Sequence, residues 1–227
     1  LTCCIFYLYS SIKNFKAWRD TGPVRLAPLT VIFGSNSAGK SSLGHLLLGL
    51  KQTAISTDRK RALHLGDTTS LIDLGTFYDC LNGHDLSKKL EFELGWELPK
   101  SMDVKDPLDS SLRYSGNQLH LAATLSAGKS GQPEVRALKY DLKNADGVVL
   151  DVTLSRGTDR KFSLQSQKYQ FKMADGRKWP PDEPEKFYRV SDLSIARFKN
   201  AGFLTDFAIA TEKLLGSVAY LGPLRNH

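Results

Sequence analysis

The chain has 227 residues, of which 41% are hydrophobic, and that fraction is enough for a substantial core. Its 31 basic and 24 acidic side chains leave a formal charge of +7, which permits nucleic-acid binding without requiring it. Cys3, Cys4 and Cys80 form neither a CxxC pair nor an even disulfide framework, and the five histidines show no zinc-ligand spacing. We therefore expect free thiols in a reducing cytoplasm.

The chain begins with an apolar stretch, residues 1–9. It is too short to span a bilayer, no basic region precedes it, and no small-residue cleavage site follows it. We predict that it is part of a first extended strand, which continues through Ile5–Trp18. No membrane partner is expected.

A glycine-rich loop runs from Gly34 to Ser41 with the sequence Gly-Ser-Asn-Ser-Ala-Gly-Lys-Ser. It matches the phosphate-binding loop G-x-x-x-x-G-K-[ST] at every fixed position. The β-branched and aromatic run Leu29–Phe33 before it predicts a buried parallel strand. The leucine-rich run Ser42–Leu50 after it predicts a helix that ends near Thr53. Strand, loop and helix together are the context that the motif requires.

The loop residues have distinct expected roles. Gly34 and Gly39 let the backbone approach a phosphate, and the loop amides form an anion-binding nest at the helix N-terminus. Lys40, the predicted catalytic residue, is expected to reach the β- and γ-phosphates, and the Ser41 hydroxyl to ligate Mg²⁺. The predicted cofactors are thus ATP and Mg²⁺. The predicted nucleotide-binding residues are Gly34, Ser35, Asn36, Ser37, Ala38, Gly39, Lys40, Ser41 and Ser42.

The middle of the chain has mainly strand patterns. Leu71–Gly75 predicts a short strand and turn, Thr76 a helix N-cap, and Leu90–Leu94 a half-buried strand because its apolar residues alternate. Turn signals separate the later strands and predict an antiparallel sheet inserted into, or laid beside, the nucleotide-binding core. The further candidate strands are Leu119–Leu121, Ala137–Tyr140, Val148–Leu154 and Phe162–Phe171.

A helix is predicted to return after Ala201 and to end at Gly216, since its apolar residues recur at helical spacing. A final strand and turn are predicted from Val218 to Arg225.

Several stretches resemble one class of ATPase. Ile12–Lys16 ahead of the Leu29–Leu43 segment resembles the N-terminus of SMC, RecF and OLD-type ATPases of the ABC class. Ile72–Phe77 with His84–Ser87, and Tyr220–Arg225, narrow the resemblance to bacterial AAA-family ATPases that include relatives of the Septu antiphage ATPase.

The resemblance implies an α/β P-loop NTPase fold: an ABC/SMC-like N-terminal lobe with a mixed sheet, a P-loop helix and an added antiparallel β-region. It implies a single ATP-binding lobe over residues 1–227, with a core at 1–55 and 190–227 and a β-rich region at 85–178. The family's second lobe carries the signature motif and the Walker B acids, and we expect it to be absent from this chain. The family also implies a homodimer or higher oligomer formed through the ATP sites.

Two stretches of the chain resemble the signature and Walker B motifs of the second lobe. Tyr114–Gln118 resembles the ABC signature, and Val148–Asp151 resembles a Walker B strand. A signature motif opens a helix, whereas Leu119–Leu121 after it is β-like, and Val152 stands where a Walker B glutamate is usual. Both stretches are therefore predicted to be plain strand. Ala127–Ser130 lacks the leading glycine of a P-loop, and we expect it to be a polar turn.

Three functions remain open from the sequence. The first is an ATPase that couples nucleotide binding and hydrolysis to conformational change, in antiphage defence or DNA maintenance. The second is a nucleotide-sensing module that binds ATP and recruits an effector nuclease, with little hydrolysis of its own. The third is a DNA-binding protein with an incidental P-loop, which is disfavoured because its basic residues do not cluster with stacking aromatics.

Overall fold

A computed structural model describes residues 8–27, 29–36, 38–177 and 179–219. Eight strands, four α-helices and one short 3₁₀ turn follow one another in these residues. In chain order they are β1 (Leu8–Phe15), β2 (Trp18–Asp20), β3 (Val24–Leu26), α1 (Lys40–Ile55), α2 (Phe77–Cys80), the 3₁₀ turn (Asn82–His84), β4 (Leu90–Asp106), β5 (Asp109–Ala127), β6 (Pro133–Asn144), β7 (Gly147–Arg156), β8 (Phe162–Gln165), α3 (Asp192–Ala196) and α4 (Phe203–Ser217).

All eight strands belong to one sheet, in the order β2-β1-β4-β5-β6-β7-β8, with β3 pairing separately to β1. Every pairing between the described strands is antiparallel. Apolar and polar residues alternate along the central strands, as in Leu94 and Glu93 on β4, so the sheet has one apolar and one polar face. The chain is thus an α/β protein built on a mostly antiparallel sheet.

Helix α4 covers the apolar face. The hydroxyl of buried Tyr140 on β6 donates to the carbonyl of Tyr188 and lies 2.8 Å from the Thr211 hydroxyl on α4. The Tyr140 ring packs 5.3 Å from Phe207 of the same helix. Helix α1 packs in turn against α4, and its C-terminal carbonyls, including that of Ala54, accept hydrogen bonds from the Lys186 ammonium. The C-terminal end of α1 is therefore anchored, and the helix packs on α4.

The prediction of a parallel strand at Leu29–Phe33 is wrong. These residues form no strand, and Leu29 and Phe33 are 82% and 89% exposed. β-Branched and aromatic residues favour a strand only where neighbouring strands supply hydrogen bonds and a covering face. β3 ends at Leu26 and pairs with β1, and no described strand lies beside Leu29–Phe33. The predicted mixed sheet is also wrong for the described residues, because every pairing between their strands is antiparallel.

The antiparallel strands predicted for the middle of the chain are present, as β4 to β8. Tyr114–Gln118 lies inside β5 and Val148–Asp151 inside β7, so both are strand and the former opens no helix. The candidate strand Phe162–Phe171 is shorter than predicted, since β8 ends at Gln165.

The helix signals also hold. Thr76 forms a capping box with Asp79 at the start of α2, and α4 ends one residue beyond Gly216, at Ser217. No strand forms over Leu71–Gly75. The predicted final strand and turn, Val218–Arg225, lie outside the described residues from position 220 onward, as do Ile5, Cys3 and Cys4.

Candidate nucleotide-binding site

The glycine-rich loop leads directly into α1. The helix begins at Lys40, and Gly39 precedes it as the N-cap with a left-handed φ of 82°. A side chain at Gly39 would also collide with the turn between β1 and β2, because an added Cβ would lie 2.7 Å from the Ala17 Cβ. Gly34, at the other end of the loop, has a φ of 153°. Both conformations favour glycine, so the two fixed glycines of the motif stand where the backbone needs them.

The Lys40 side chain folds back over the loop. Its ammonium donates to the carbonyl of Gly34 at 2.8 Å and to that of Ser35 at 2.6 Å. Within the loop, the Ala38 amide donates to the Ser35 carbonyl at 3.3 Å. Two carbonyl oxygens of the loop thus hold the Lys40 ammonium beside the start of α1.

The start of α1 presents unused hydrogen-bond donors. No side chain of the described residues caps it, and its first turn contains no acidic residue. The first amides of a helix lack intrahelical partners and carry the positive end of its dipole, which favours an anion. Ser41 is exposed in this turn, whereas Ser42 is buried and its amide donates to the Gly39 carbonyl at 3.0 Å. Asn36 lies in an exposed turn, and Ser37 lies outside the described residues.

A residue that the sequence did not single out also contacts this loop. The Trp18 indole N–H, at the start of β2, donates to the Gly39 carbonyl at 2.9 Å. The turn that carries Trp18 is itself anchored: the Lys16 amide donates to the Cys80 carbonyl at 2.7 Å, and the Asn82 side chain donates to the Lys16 carbonyl at 2.8 Å. Nothing in the spacing of Trp18 and Gly39 indicates this contact, because it depends on how the sheet and α1 pack.

His45 lies one turn beyond Lys40 on α1. Burial, and next to it the positive charge of Lys16, lower the pKa of His45 below its usual value. At neutral pH its imidazole is therefore mostly uncharged, and the positive charge near this end of the helix comes from Lys16 and Lys40.

Asp151, the aspartate that resembles a Walker B acid, has a structural role. Its side chain is buried on β7 and accepts hydrogen bonds from the Ser166 hydroxyl and from the amides of Gln167 and Lys168, at 2.9–3.1 Å. β7 is four strands away from β1, roughly 20 Å across the sheet. The carboxylate fastens the segment after β8 to the sheet and takes no part in the loop.

The described residues contain no group of three or more His, Cys, Asp or Glu side chains able to hold a metal ion by themselves. Ser41 offers one hydroxyl ligand at the loop, which fits a Mg²⁺ ion held jointly with phosphate oxygens. Across the same part of the chain, every helix is too short or too polar to cross a bilayer.

Comparison with known proteins does not extend this picture. No family model matches the chain, and no curated protein is significantly similar to it.

Proposed function

We propose that this chain is the ATP-binding lobe of an ABC/SMC-like ATPase and that it binds Mg²⁺-ATP on residues 34–42. The observation that carries the proposal is the uncapped start of α1 directly behind a loop that matches the phosphate-binding pattern at every fixed position. The helix start, the left-handed Gly39 and the Lys40 ammonium all favour a negatively charged ligand at the same place.

The chemistry of binding follows from these groups. A triphosphate accepts hydrogen bonds from the loop and first-turn amides, and Lys40 exchanges the carbonyls of Gly34 and Ser35 for the β- and γ-phosphates. Ser41 holds the bound Mg²⁺, which when present neutralises phosphate charge. Exposed Ser41 faces the ligand, whereas buried Ser42 packs inside the first turn of the helix.

A second candidate function is a nucleotide-sensing module that recruits an effector nuclease and hydrolyses little ATP on its own. One observation favours it: Asp151 is occupied by the segment after β8 and cannot orient a water at the loop. Under either function we propose assembly into a homodimer or higher oligomer through the ATP sites. Nucleic acid is a further proposed partner, which the net charge of +7 permits.

Calorimetric titration of Mg²⁺-ATP into the wild-type chain and into Lys40→Ala tests the proposal. Lys40→Ala removes the charge beside the phosphates and should abolish most of the affinity. Lys129→Ala is the matched control, because Lys129 is exposed in the Ala127–Ser130 turn, which resembles a P-loop but lacks its first glycine. Equal affinity in wild type and Lys40→Ala, or equal loss in both variants, contradicts the proposal.

A further inference from the structure

A second polar cluster lies on the face of the sheet opposite α4. Tyr9 on β1 pairs with Gly95 on β4, Gly95 with His120 on β5, and His120 with Asp141 on β6. Residues paired directly across a sheet point to the same face. Asp141 follows Tyr140, which points to α4, so this row faces the other way. The row lies at a cleft of about 320 Å³, a volume at the lower end of small-ligand sites.

Gly95 lets the side chains on either side of it meet. An added Cβ at Gly95 would lie 2.8 Å from His120 Cδ2 and 3.7 Å from the Tyr9 Cβ. With glycine there, the Tyr9 and His120 rings approach to 5.8 Å between centroids, at an angle of 36°. The floor of the cleft is therefore open backbone flanked by two aromatic rings.

His120 stands between two carboxylates. Its Nε2 lies 3.7 Å from Glu93, which is half-exposed in the cleft, and its Nδ1 lies 3.9 Å from Asp141, which is buried. The Asp141 Oδ2 also accepts a hydrogen bond from Lys139 at 2.9 Å. Among the described residues, the Asp141 Oδ1 has no hydrogen-bond partner although it is fully buried. One buried carboxylate oxygen of the cluster is thus left without a donor.

The shortage of donors follows from the chemistry of imidazole. A neutral imidazole has one N–H and one lone pair, so it can direct its N–H towards Asp141 or towards Glu93 but not towards both, and at 3.9 and 3.7 Å neither contact is a hydrogen bond. Burial is the main cause that lowers the pKa of His120, and Lys143 adds to it, so the neutral form prevails at neutral pH. If Nδ1–H faces Asp141, the Nε2 lone pair and the Glu93 carboxylate face each other across the open cleft. A ligand that brings N–H donors completes this arrangement.

We propose that the cleft lined by Tyr9, Glu93 and His120 binds a small ligand that carries a guanidinium or primary ammonium group. The ligand's N–H groups bridge the Glu93 carboxylate and His120 Nε2, and the Tyr9 ring supplies a π-face beside the positive charge. This proposal does not rest on the glycine-rich loop.

The other charges around His120 limit where the cation lies. The Lys139 ammonium donates to Asp141. Asp151 pairs with Asp141 across the sheet, and its carboxylate accepts hydrogen bonds from the segment after β8. Lys143 lines the cleft but pairs with Gln118, one row along the sheet from His120 and two rows from Glu93. The positive group is therefore placed at the Glu93 end, away from Lys143.

Titration with agmatine, followed by NMR of the His120 ring and of the backbone amides, tests this proposal. We expect saturable shifts at Tyr9, His120 and Gln118. Glu93→Gln should weaken agmatine binding at least about tenfold, because it removes the charged acceptor. The matched control is Glu91→Gln, since Glu91 lies on the same face of β4, two residues away, but does not line the cleft.

The pH dependence adds an independent readout. Below the pKa of His120 the imidazolium is positively charged, attracts both carboxylates and repels a cation, so agmatine affinity should fall as the pH is lowered from about 8 to about 5. Acetate, an anionic probe, should cause no saturable shift. Absence of saturation with agmatine, equal losses in Glu91→Gln and Glu93→Gln, binding that strengthens at low pH, or saturable binding of acetate would each overturn the proposal.

Discussion

The Trp18 indole N–H donates to the carbonyl of Gly39 at 2.9 Å, and this bond joins the edge of the sheet to the loop residue that directly precedes α1. Gly39 is also the N-cap of α1, so the orientation of its peptide sets where the helix begins. The neighbouring Ala17 Cβ leaves no room for a side chain at Gly39. The β1–β2 turn thus contacts Gly39 and fixes the position of the loop where it meets α1.

Replacement of Trp18 by phenylalanine should lower ATP affinity about fivefold, because a hydrogen bond of about 1 kcal/mol that holds the Gly39 carbonyl is lost. Mg²⁺-ATP should change the tryptophan fluorescence of wild type, and this change should vanish in Trp18→Phe. Trp179→Phe is the control, since Trp179 is exposed in a loop after β8. A fluorescence change that survives in Trp18→Phe and is lost in Trp179→Phe would refute the contact's role.

Two glycines in and beside α1 should respond in opposite directions to alanine. Gly39→Ala forces a side chain into a left-handed conformation and against Ala17, and should lower the free energy of unfolding by about 1–2 kcal/mol and weaken ATP binding. Gly44 is exposed in the helix, with no atom within 4 Å of an added Cβ. Gly44→Ala should raise the free energy of unfolding by up to about 1 kcal/mol and leave ATP affinity unchanged. Denaturant unfolding measures the free energy of unfolding of each variant, and calorimetry measures its ATP affinity. A Gly39→Ala chain more stable than the Gly44→Ala chain would contradict the geometry.

Local sequence signals predicted the parts of this fold that depend on local chemistry. The Thr76 cap and the end of α4 near Gly216 were both predicted, because each is set by residues a few positions apart. The strand predicted at Leu29–Phe33 failed because a parallel strand depends on neighbours that local sequence does not specify. The contacts of Trp18 with Gly39 and of His120 with Glu93 were missed because they join residues 21 and 27 positions apart. Polar residues at alternate positions of β4, β5 and β6 were the available signal for the second cluster.

Asp151→Asn should destabilise the fold without affecting nucleotide binding. An asparagine amide presents N–H groups to the donors of Gln167 and Lys168, so the free energy of unfolding should fall by about 1–3 kcal/mol. Asp146→Asn, in the exposed turn between β6 and β7, should have little effect. Thermal unfolding measures the loss of stability, and ATP titration measures nucleotide binding. A loss of ATP binding in a well-folded Asp151→Asn chain would restore this residue to the nucleotide site.

Cys80 should make the fold sensitive to alkaline pH. Burial raises the pKa of its thiol from 9.0 to about 11. The folded state therefore holds the proton in a range where the unfolded state has lost it, and stability declines as the pH rises through this interval. The maximum slope for one proton is about 1.4 kcal/mol per pH unit. Urea unfolding between pH 8 and pH 11 should show a shallower decline in Cys80→Ala than in wild type, whereas identical slopes would argue against a protonated, buried thiol.

The most direct test of nucleotide binding at the loop is a map of backbone amide shifts on addition of Mg²⁺-ATP to the ¹⁵N-labelled chain. The largest shifts should fall on Gly34, Ser35, Gly39 and Lys40, with smaller shifts at Trp18 and none at His120. Phosphates bound by the loop amides would produce this pattern. Saturable shifts centred on the opposite face of the sheet, or no saturable shift between residues 34 and 42, would contradict the assignment of the glycine-rich loop as the nucleotide site.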